Sequence, residues 1–218
     1  MGLMRITVLA SGRGSNLGAL IAASRGPAFN GAVTQVICNK PRAGALSIAE
    51  DNGIATSLVD SGAYADRPAY DDALSAAVDA SEPDLIVLAG YMRVLPAAFV
   101  QRHGNRMINV HPSLLPLYPG LNTHRRALAD GVRIHGCTVH FVTADVDTGP
   151  IVAQAAVAVR RDDDEASLAA RVLAQEHRLL PAAVRWFCAG QLALIDGRVR
   201  LDVEETGGAL CVPSPAAT

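Results

Sequence analysis

Residues 84–89 read Asp-Leu-Ile-Val-Leu-Ala and are bounded by Pro83 and Gly90. After the aspartate the run has no polar alternation, so a strand built from it has no face to give to water. It is also far shorter than the roughly 18 apolar residues of a membrane span. The arrangement that buries both faces of so short a strand is a parallel sheet with helices on either side.

The rest of the first half agrees. Met4–Ala10 (MRITVLA) and Val33–Cys38 (VTQVIC) are β-rich runs, each followed by a helical stretch, Leu17–Arg25 and Ala43–Asn52. Thr56–Val59 reads as a third strand and Pro68–Ala80 as a helix with proline in its first turn. Ala97–Arg102 is a short helix and Arg106–Val110 another strand. Strands alternating with helices specify an α/β fold with a mostly parallel sheet.

After a helix at His124–Asp130 the pattern changes. Cys137–Thr143 and Ile151–Val159 are longer strands with little between them, which predicts an antiparallel extension of the sheet in the C-terminal part. Ala166–Ala189 is helical, with a kink or break expected at Pro181. Within Leu192–Leu201, Asp196-Gly197 between alternating residues predicts a type I′ hairpin. No repeat or interdomain linker is visible, so residues 1–204 are expected to form a single domain, with residues 205–218 a disordered tail. The acidic run Asp162–Glu165 is placed to cap the helix that follows it.

With a net charge of −2 and 18% charged residues, no global basic field recruits nucleic acid or an anionic membrane. Cys38, Cys137, Cys188 and Cys211 show neither a CxxC pair nor zinc spacing, and fit thiols in a reducing cytoplasm. The histidines have no metal-ligand spacing, so no metal is expected. The N-terminus is too soon broken by glycine for a signal peptide.

Ser11–Asn16 (SGRGSN) links a strand to a helix. Gly12 and Gly14 allow close approach of a ligand to the backbone, and the helix N-terminus offers N–H groups to an anion. A P-loop lysine is missing, as are the third glycine and the acidic ribose reader of a dinucleotide loop, so one terminal phosphate fits better. The plainer reading is a tight strand–helix turn.

At Met107–Pro116 (MINVHPSLLP) a strand ends in Asn-x-His before a proline-stiffened turn. Residues i and i+2 share a face, so Asn109 and His111 can aim at one point at the carboxyl end of a parallel strand, where such sheets bind ligands. An amide donor beside an imidazole suits chemistry at a carbonyl. No serine or cysteine is placed as a nucleophile, which leaves attack to a substrate. Asp147, before Thr148-Gly149-Pro150, can orient His111 or simply make a turn. A strand histidine that merely packs remains the ordinary alternative.

Gly12–Asn16, Ala89–Leu95, Asn109–Pro116 and Asp147–Pro150 occur in this order. With them the chain, from about Met4 to Leu201, resembles the formyltransferase family, and within it the phosphoribosylglycinamide formyltransferases (glycinamide ribonucleotide transformylases) of de novo purine synthesis. The resemblance implies a Rossmann-like fold and direct attack by the amine of glycinamide ribonucleotide on the formyl carbon of 10-formyltetrahydrofolate. By analogy Asn109 and protonated His111 would stabilise the oxyanion, and Asp147 would hold His111. Gly14, Ser15, Asn16 and Glu176 would bind the ribonucleotide. Arg67, Met92, Arg93, Val94, Leu95, Asn109 and the loop Thr143, Ala144, Asp145, Val146 and Asp147 would bind the folate. The chain departs from many relatives at Ala144, where they carry an acidic residue. A methionyl-tRNA formylase would need an RNA-binding extension and basic charge. A formyltetrahydrofolate hydrolase usually carries an extra N-terminal domain, and a non-catalytic nucleotide-binding module would leave the Asn-His-Asp set unused. A monomer or homodimer is expected, acting on small molecules.

Overall fold

A computed structural model describes residues 2–203. Strands β1 (Met4–Ala10), β2 (Gly31–Cys38), β3 (Ala55–Leu58), β4 (Leu85–Leu88), β5 (Met107–His111), β6 (Ile134–Phe141) and β7 (Ile151–Ala158) form one sheet in the order β3-β2-β1-β4-β5-β6-β7. The first five are mutually parallel, and β6 and β7 add antiparallel strands. Helices α1 (Ser15–Ser24), α2 (Gly44–Asp51), α3 (Arg67–Ala80), α4 (Ala97–His103), α5 (Thr123–Ala129) and α6 (Glu165–Cys188) alternate with or follow these strands. The predicted alternation and its antiparallel extension are both present.

Strand period and helix placement explain the uninterrupted apolar runs. Ile6, Val8 and Ala10 of β1 and Leu85 and Val87 of β4 join a cluster with Leu17 and Leu20 of α1 and Leu180 and Val184 of α6. Leu9, Ile86 and Leu88 point the other way, onto Tyr70 and Leu74 of α3 and Phe99 of α4. Each inner strand thus has helix on both faces, and alternate residues serve opposite cores.

The strand order reverses between β1 and β4, so the loops leaving their carboxyl ends diverge and open a crevice. Those loops are tied together there: the Ser11 amide donates to the Gly90 carbonyl at 3.2 Å, and the Met92 amide donates to Ser11 Oγ at 2.8 Å. Strands β8 (Leu192–Ile195) and β9 (Arg198–Leu201) form the predicted hairpin. Its turn residues Asp196 and Gly197 both have positive φ, 49° and 73°, as a type I′ turn requires.

Of the kink or break expected at Pro181, the break does not occur: α6 runs unbroken from Glu165 to Cys188. An interior proline costs a helix about 3 kcal/mol. Burial of Leu180 and Val184 beside it returns about 1.5–3 kcal/mol each and carries the helix through. Residues 205–218 lie outside the described residues. Among the described residues no helix is long and apolar enough to cross a membrane.

The start of α6 is fastened by the acidic run. Asp164 caps the helix, accepting from the Ser167 amide at 2.7 Å, and the Ser167 hydroxyl accepts from the Asp164 amide in return. Asp163 takes both ends of the Arg171 guanidinium, at 2.7 and 2.8 Å, and Arg171 also donates to the Ala158 carbonyl at the end of β7. The hydrogen-bonded guanidinium holds the Asp163 carboxyl well below the ordinary carboxylate range. A depressed folded-state value means that this stabilisation is present above the unfolded value near 3.8 and is lost as pH falls through the folded one. At neutral pH Asp163→Asn should lower the unfolding free energy by about 1–2 kcal/mol. In urea titrations at successive pH values the gap to wild type should shrink steadily below pH about 4. A gap that widens in acid would contradict this assignment.

Candidate active site

Strand β5 ends with its side chains at the crevice. Asn109 and His111 both line the same cleft, and the turn beyond Phe141 returns Asp147 to them. His111 Nδ1 lies 3.2 Å from Asp147 Oδ2, and His111 Nε2 donates to the Tyr118 carbonyl at 2.9 Å. Both ring nitrogens therefore face acceptors, a pattern that a doubly protonated imidazole satisfies in full. The Gly120 amide donates to Asp147 Oδ2 at 2.8 Å and fixes the carboxylate from the other side. His111 and Asp147 are almost fully shielded, with 7% and 11% of their side-chain surfaces exposed. Their attraction is therefore little screened by water.

Asp147 has φ 56°, the left-handed region that aspartate tolerates better than most residues. The turn around it closes on itself, with Thr143 and Thr148 hydroxyls both donating to the Asp145 carbonyl, at 3.2 and 3.1 Å. Gly149 is dictated by close approach: a Cβ there would stand 1.7 Å from the Phe141 carbonyl oxygen.

The Asn109–His111–Asp147 cleft offers about 570 Å³. Met92, Arg93, Val94, Leu95, Thr143, Ala144, Asp145 and Val146, the residues that the resemblance assigns to the folate, all line it. Met92, Val94, Leu121 and Val146 leave large apolar surfaces exposed at this cleft, apolar area that a flat ligand could cover. Arg93 lays its guanidinium 4.4 Å from the Tyr70 ring centre. Arg67 is not on the cleft wall. It stands beside it, donating to the Val94 carbonyl at 2.5 Å, with about half its side chain exposed.

A second cleft of about 580 Å³ is built on the glycine loop. Gly14 has φ 81°, and a Cβ there would lie 2.7 Å from the Ala45 Cα, so both conformation and space demand glycine. Ser15, Asn16 and Glu176 join it on the wall. Asn16 Nδ2 donates to Glu176 Oε2 at 2.7 Å, while Asn16 Oδ1 is buried without a protein partner. Burial pushes the Glu176 carboxyl up, against the pull of the Asn16 bond. The two clefts meet along a common wall of Gly90, Met92, Pro112 and His124.

Four residues of the site escaped sequence reasoning. Arg13 and Lys40 bring exposed cations to the glycine-loop cleft. Arg13 lies inside the SGRGSN motif and Lys40 just beyond β2, where basic character was itself a signal. His124 stands on the common wall, with its Nδ1 3.2 Å from His135 Nε2; burial pushes His135 down to about 4 and His124 in the same direction. His140 is buried beside Asn109, with its Nε2 3.0 Å from Asn109 Nδ2. Among the described residues no group of three or more His, Cys, Asp or Glu side chains is arranged to hold a metal ion.

An amide, an imidazole and a carboxylate thus meet at the carboxyl end of β5, beside the switch point of an α/β sheet, an arrangement suited to chemistry at a carbonyl. The chain belongs to the formyl transferase family, whose model matches residues 4–184. It is 46% identical over 199 residues to the phosphoribosylglycinamide formyltransferase of Escherichia coli (strain K12), covering 91% of this chain and 94% of that one. The crystal structure of glycinamide ribonucleotide transformylase 1 from Symbiobacterium toebii superposes with a TM-score of 0.87 at 45% identity, over 91% of this chain and 94% of that one. A formyltetrahydrofolate deformylase from Pseudomonas syringae is similar at 25% identity and a TM-score of 0.84, over 91% of this chain but only 66% of the deformylase.

Gly149→Ala should destabilise the protein by about 1–3 kcal/mol in denaturant unfolding, because the Phe141 carbonyl has to give way to the new methyl. Unchanged stability would mean that the Asp147 turn closes differently.

Proposed function

We propose that this chain is an enzyme that transfers the formyl group of 10-formyltetrahydrofolate to the amine of glycinamide ribonucleotide, yielding the N-formyl ribonucleotide and tetrahydrofolate. The observation that carries this reading is the pair of clefts with a common wall. One is largely apolar, the other is built on a glycine loop with two cations on its wall, and Asn109, His111 and Asp147 line the first. The close relatives, named phosphoribosylglycinamide formyltransferases, support the same pairing of substrates.

In this reading the glycine-loop amides with Arg13 and Lys40 take the phosphate, while Asn16 and Glu176 face the ribose. The apolar cleft holds the pterin against Leu95 and the turn Thr143–Asp147, and Arg67 at its edge meets the acidic end of the folate. The ribonucleotide nitrogen forms a bond to the formyl carbon and the bond from that carbon to the folate nitrogen breaks. Asn109 donates an N–H to the oxygen as negative charge develops on it, and losing one such donor costs about 10²–10³ in rate. His111, held by Asp147, stabilises the same charge and delivers a proton to the departing nitrogen. Asp147, directly or through water, accepts the proton lost by the attacking amine. Holding both reactants in adjoining clefts supplies much of the remaining acceleration.

The test is release of tetrahydrofolate from 10-formyltetrahydrofolate with and without glycinamide ribonucleotide. Release that requires the ribonucleotide is expected; release without it would mean hydrolysis, and none in either case a binding module. His111→Ala and Asp147→Ala should cut kcat at least about 100-fold while calorimetric affinity for the ribonucleotide changes little. An equal loss of affinity would remove both from the chemistry.

Arg13→Ala and Lys40→Ala should each raise the KM for ribonucleotide about threefold to tenfold, more at low salt, with kcat nearly constant. A KM that ignores both substitutions and ionic strength would place the phosphate elsewhere.

A further inference from the structure

His140 has no part in the chemistry described above, yet it is one of the most deeply buried polar groups of the site, 2% exposed. It sits on β6 directly opposite Asn109 of β5. Its Nδ1 lies 2.9 Å from the Phe141 carbonyl oxygen, and its Nε2 lies 3.0 Å from Asn109 Nδ2.

A carbonyl oxygen can only accept, so Nδ1 carries a hydrogen. Burial pushes the ring's pKa down, against the Phe141 bond and the Asp147 charge, and favours a ring with one hydrogen only. Nε2 is then a bare acceptor. Asp147 Oδ1 stands 3.8 Å from it, too far for a hydrogen bond and itself an acceptor, so it cannot satisfy Nε2. An Asn109 N–H can. A primary amide has two N–H groups, and the second one on Asn109 has no protein partner among the described residues while the side chain lines the apolar cleft.

We propose that His140 is a positioning residue: as the Nδ1–H tautomer it holds the Asn109 side-chain amide with its nitrogen, not its oxygen, turned to the reacting oxygen. With the opposite tautomer, Nε2–H would attract Asn109 Oδ1, and the flipped amide would offer an acceptor to a developing negative charge. The choice between donor and acceptor at the oxyanion position is therefore made two groups away, by the Phe141 carbonyl. This inference rests on Asn109 acting as the oxyanion donor.

The test is a double-mutant cycle with a separate measurement on the wild type. His140→Asn keeps an amide that can reach the Phe141 carbonyl but removes the acceptor opposite Asn109. It should lower kcat about 10- to 100-fold, a fraction of what a lost oxyanion donor costs, with both KM values nearly unchanged. In the Asn109→Ala background the same substitution should change kcat less than about twofold, since the amide it orients is gone. His140→Gln, whose oxygen can again accept from Asn109, should recover part of the loss. Equal losses in both backgrounds, or no loss in either, would overturn the inference while leaving the proposed reaction intact. An Asn109→Ala single variant that keeps the wild-type kcat would instead remove Asn109 from the oxyanion role. Nitrogen-15 spectra of the wild-type protein at neutral pH read the tautomer without any substitution. An unprotonated Nε2 on His140 is expected, and a protonated one would overturn the inference whatever the variants do.

Discussion

Strand β6 runs antiparallel to β5 with His140 opposite Asn109 and Thr138 opposite His111, and this register organises the site. Residues directly opposite in such a ladder share a face, so both polar residues of β5 receive a polar neighbour by construction. Thr138 Oγ1 donates to the Ser113 carbonyl at 2.7 Å and accepts from the Leu115 amide at 3.0 Å. Gln154, across the next ladder, donates to the Leu115 carbonyl at 2.8 Å. The proline-rich segment after His111 is thus hung on the antiparallel strands. It can then bring the Tyr118 carbonyl back to His111 and the Gly120 amide to Asp147. A parallel partner for β5 would have needed a long crossover and could not have returned the chain to Asp147 within a short turn.

So many buried polar groups are tolerable because they satisfy one another. A buried donor or acceptor left alone costs about 1–3 kcal/mol, and in a shielded site the paired contacts are correspondingly strong. Part of that strength is used against the backbone. Tyr118, Asn122 and Asp147 have φ of 55°, 57° and 56°, a region open to asparagine and aspartate but costly for tyrosine. All three lie in the two loops that frame His111. The Tyr118 carbonyl accepts from His111 and Ser113, and Asp147 accepts from the Gly120 amide, so the two loops are tied to the end of β5 and to each other.

The alternation of strands and helices and the antiparallel extension were legible because apolar runs and turn residues encode them locally. DLIVLA announced a strand buried on both faces, Asp196-Gly197 a type I′ turn, and Asn109-x-His111 a common face at a strand end. What escaped depends on contacts between distant segments. Pro181 promised a break from its own chemistry, but the packing of Leu180 and Val184 is not written at that position. His140 carried no spacing signal, since its meaning comes from the register of β6 on β5. Lys40 was visible as a residue but not as a neighbour of the glycine loop, because that adjacency is made by the pairing of β1 with β2, where Ala10 meets Cys38. Arg67, transferred by resemblance, reached the edge of the cleft rather than its wall.

Direct attack of one bound substrate on the other, as in the proposed reaction, places an unusual demand on the fold. An acyl enzyme would let one cleft serve two substrates in turn, whereas direct attack requires both at once, each held within van der Waals reach of the other. The reversal of strand order between β1 and β4 meets this demand. It sends the glycine loop and the Ala89–Leu95 turn apart from neighbouring strand ends, opening one cleft on each side of the divide. Residues that belong to both clefts have to come from the divide itself, and Gly90 and Met92 do, with Pro112 and His124 closing the wall from the β5 side. Arg13 and Lys40 line only the glycine-loop cleft, whereas Arg93, the arginine of the apolar cleft wall, lies over the Tyr70 ring. In the proposed reaction the phosphate then meets its cations on one side of the divide, and the developing oxyanion meets Asn109 and His111 on the other.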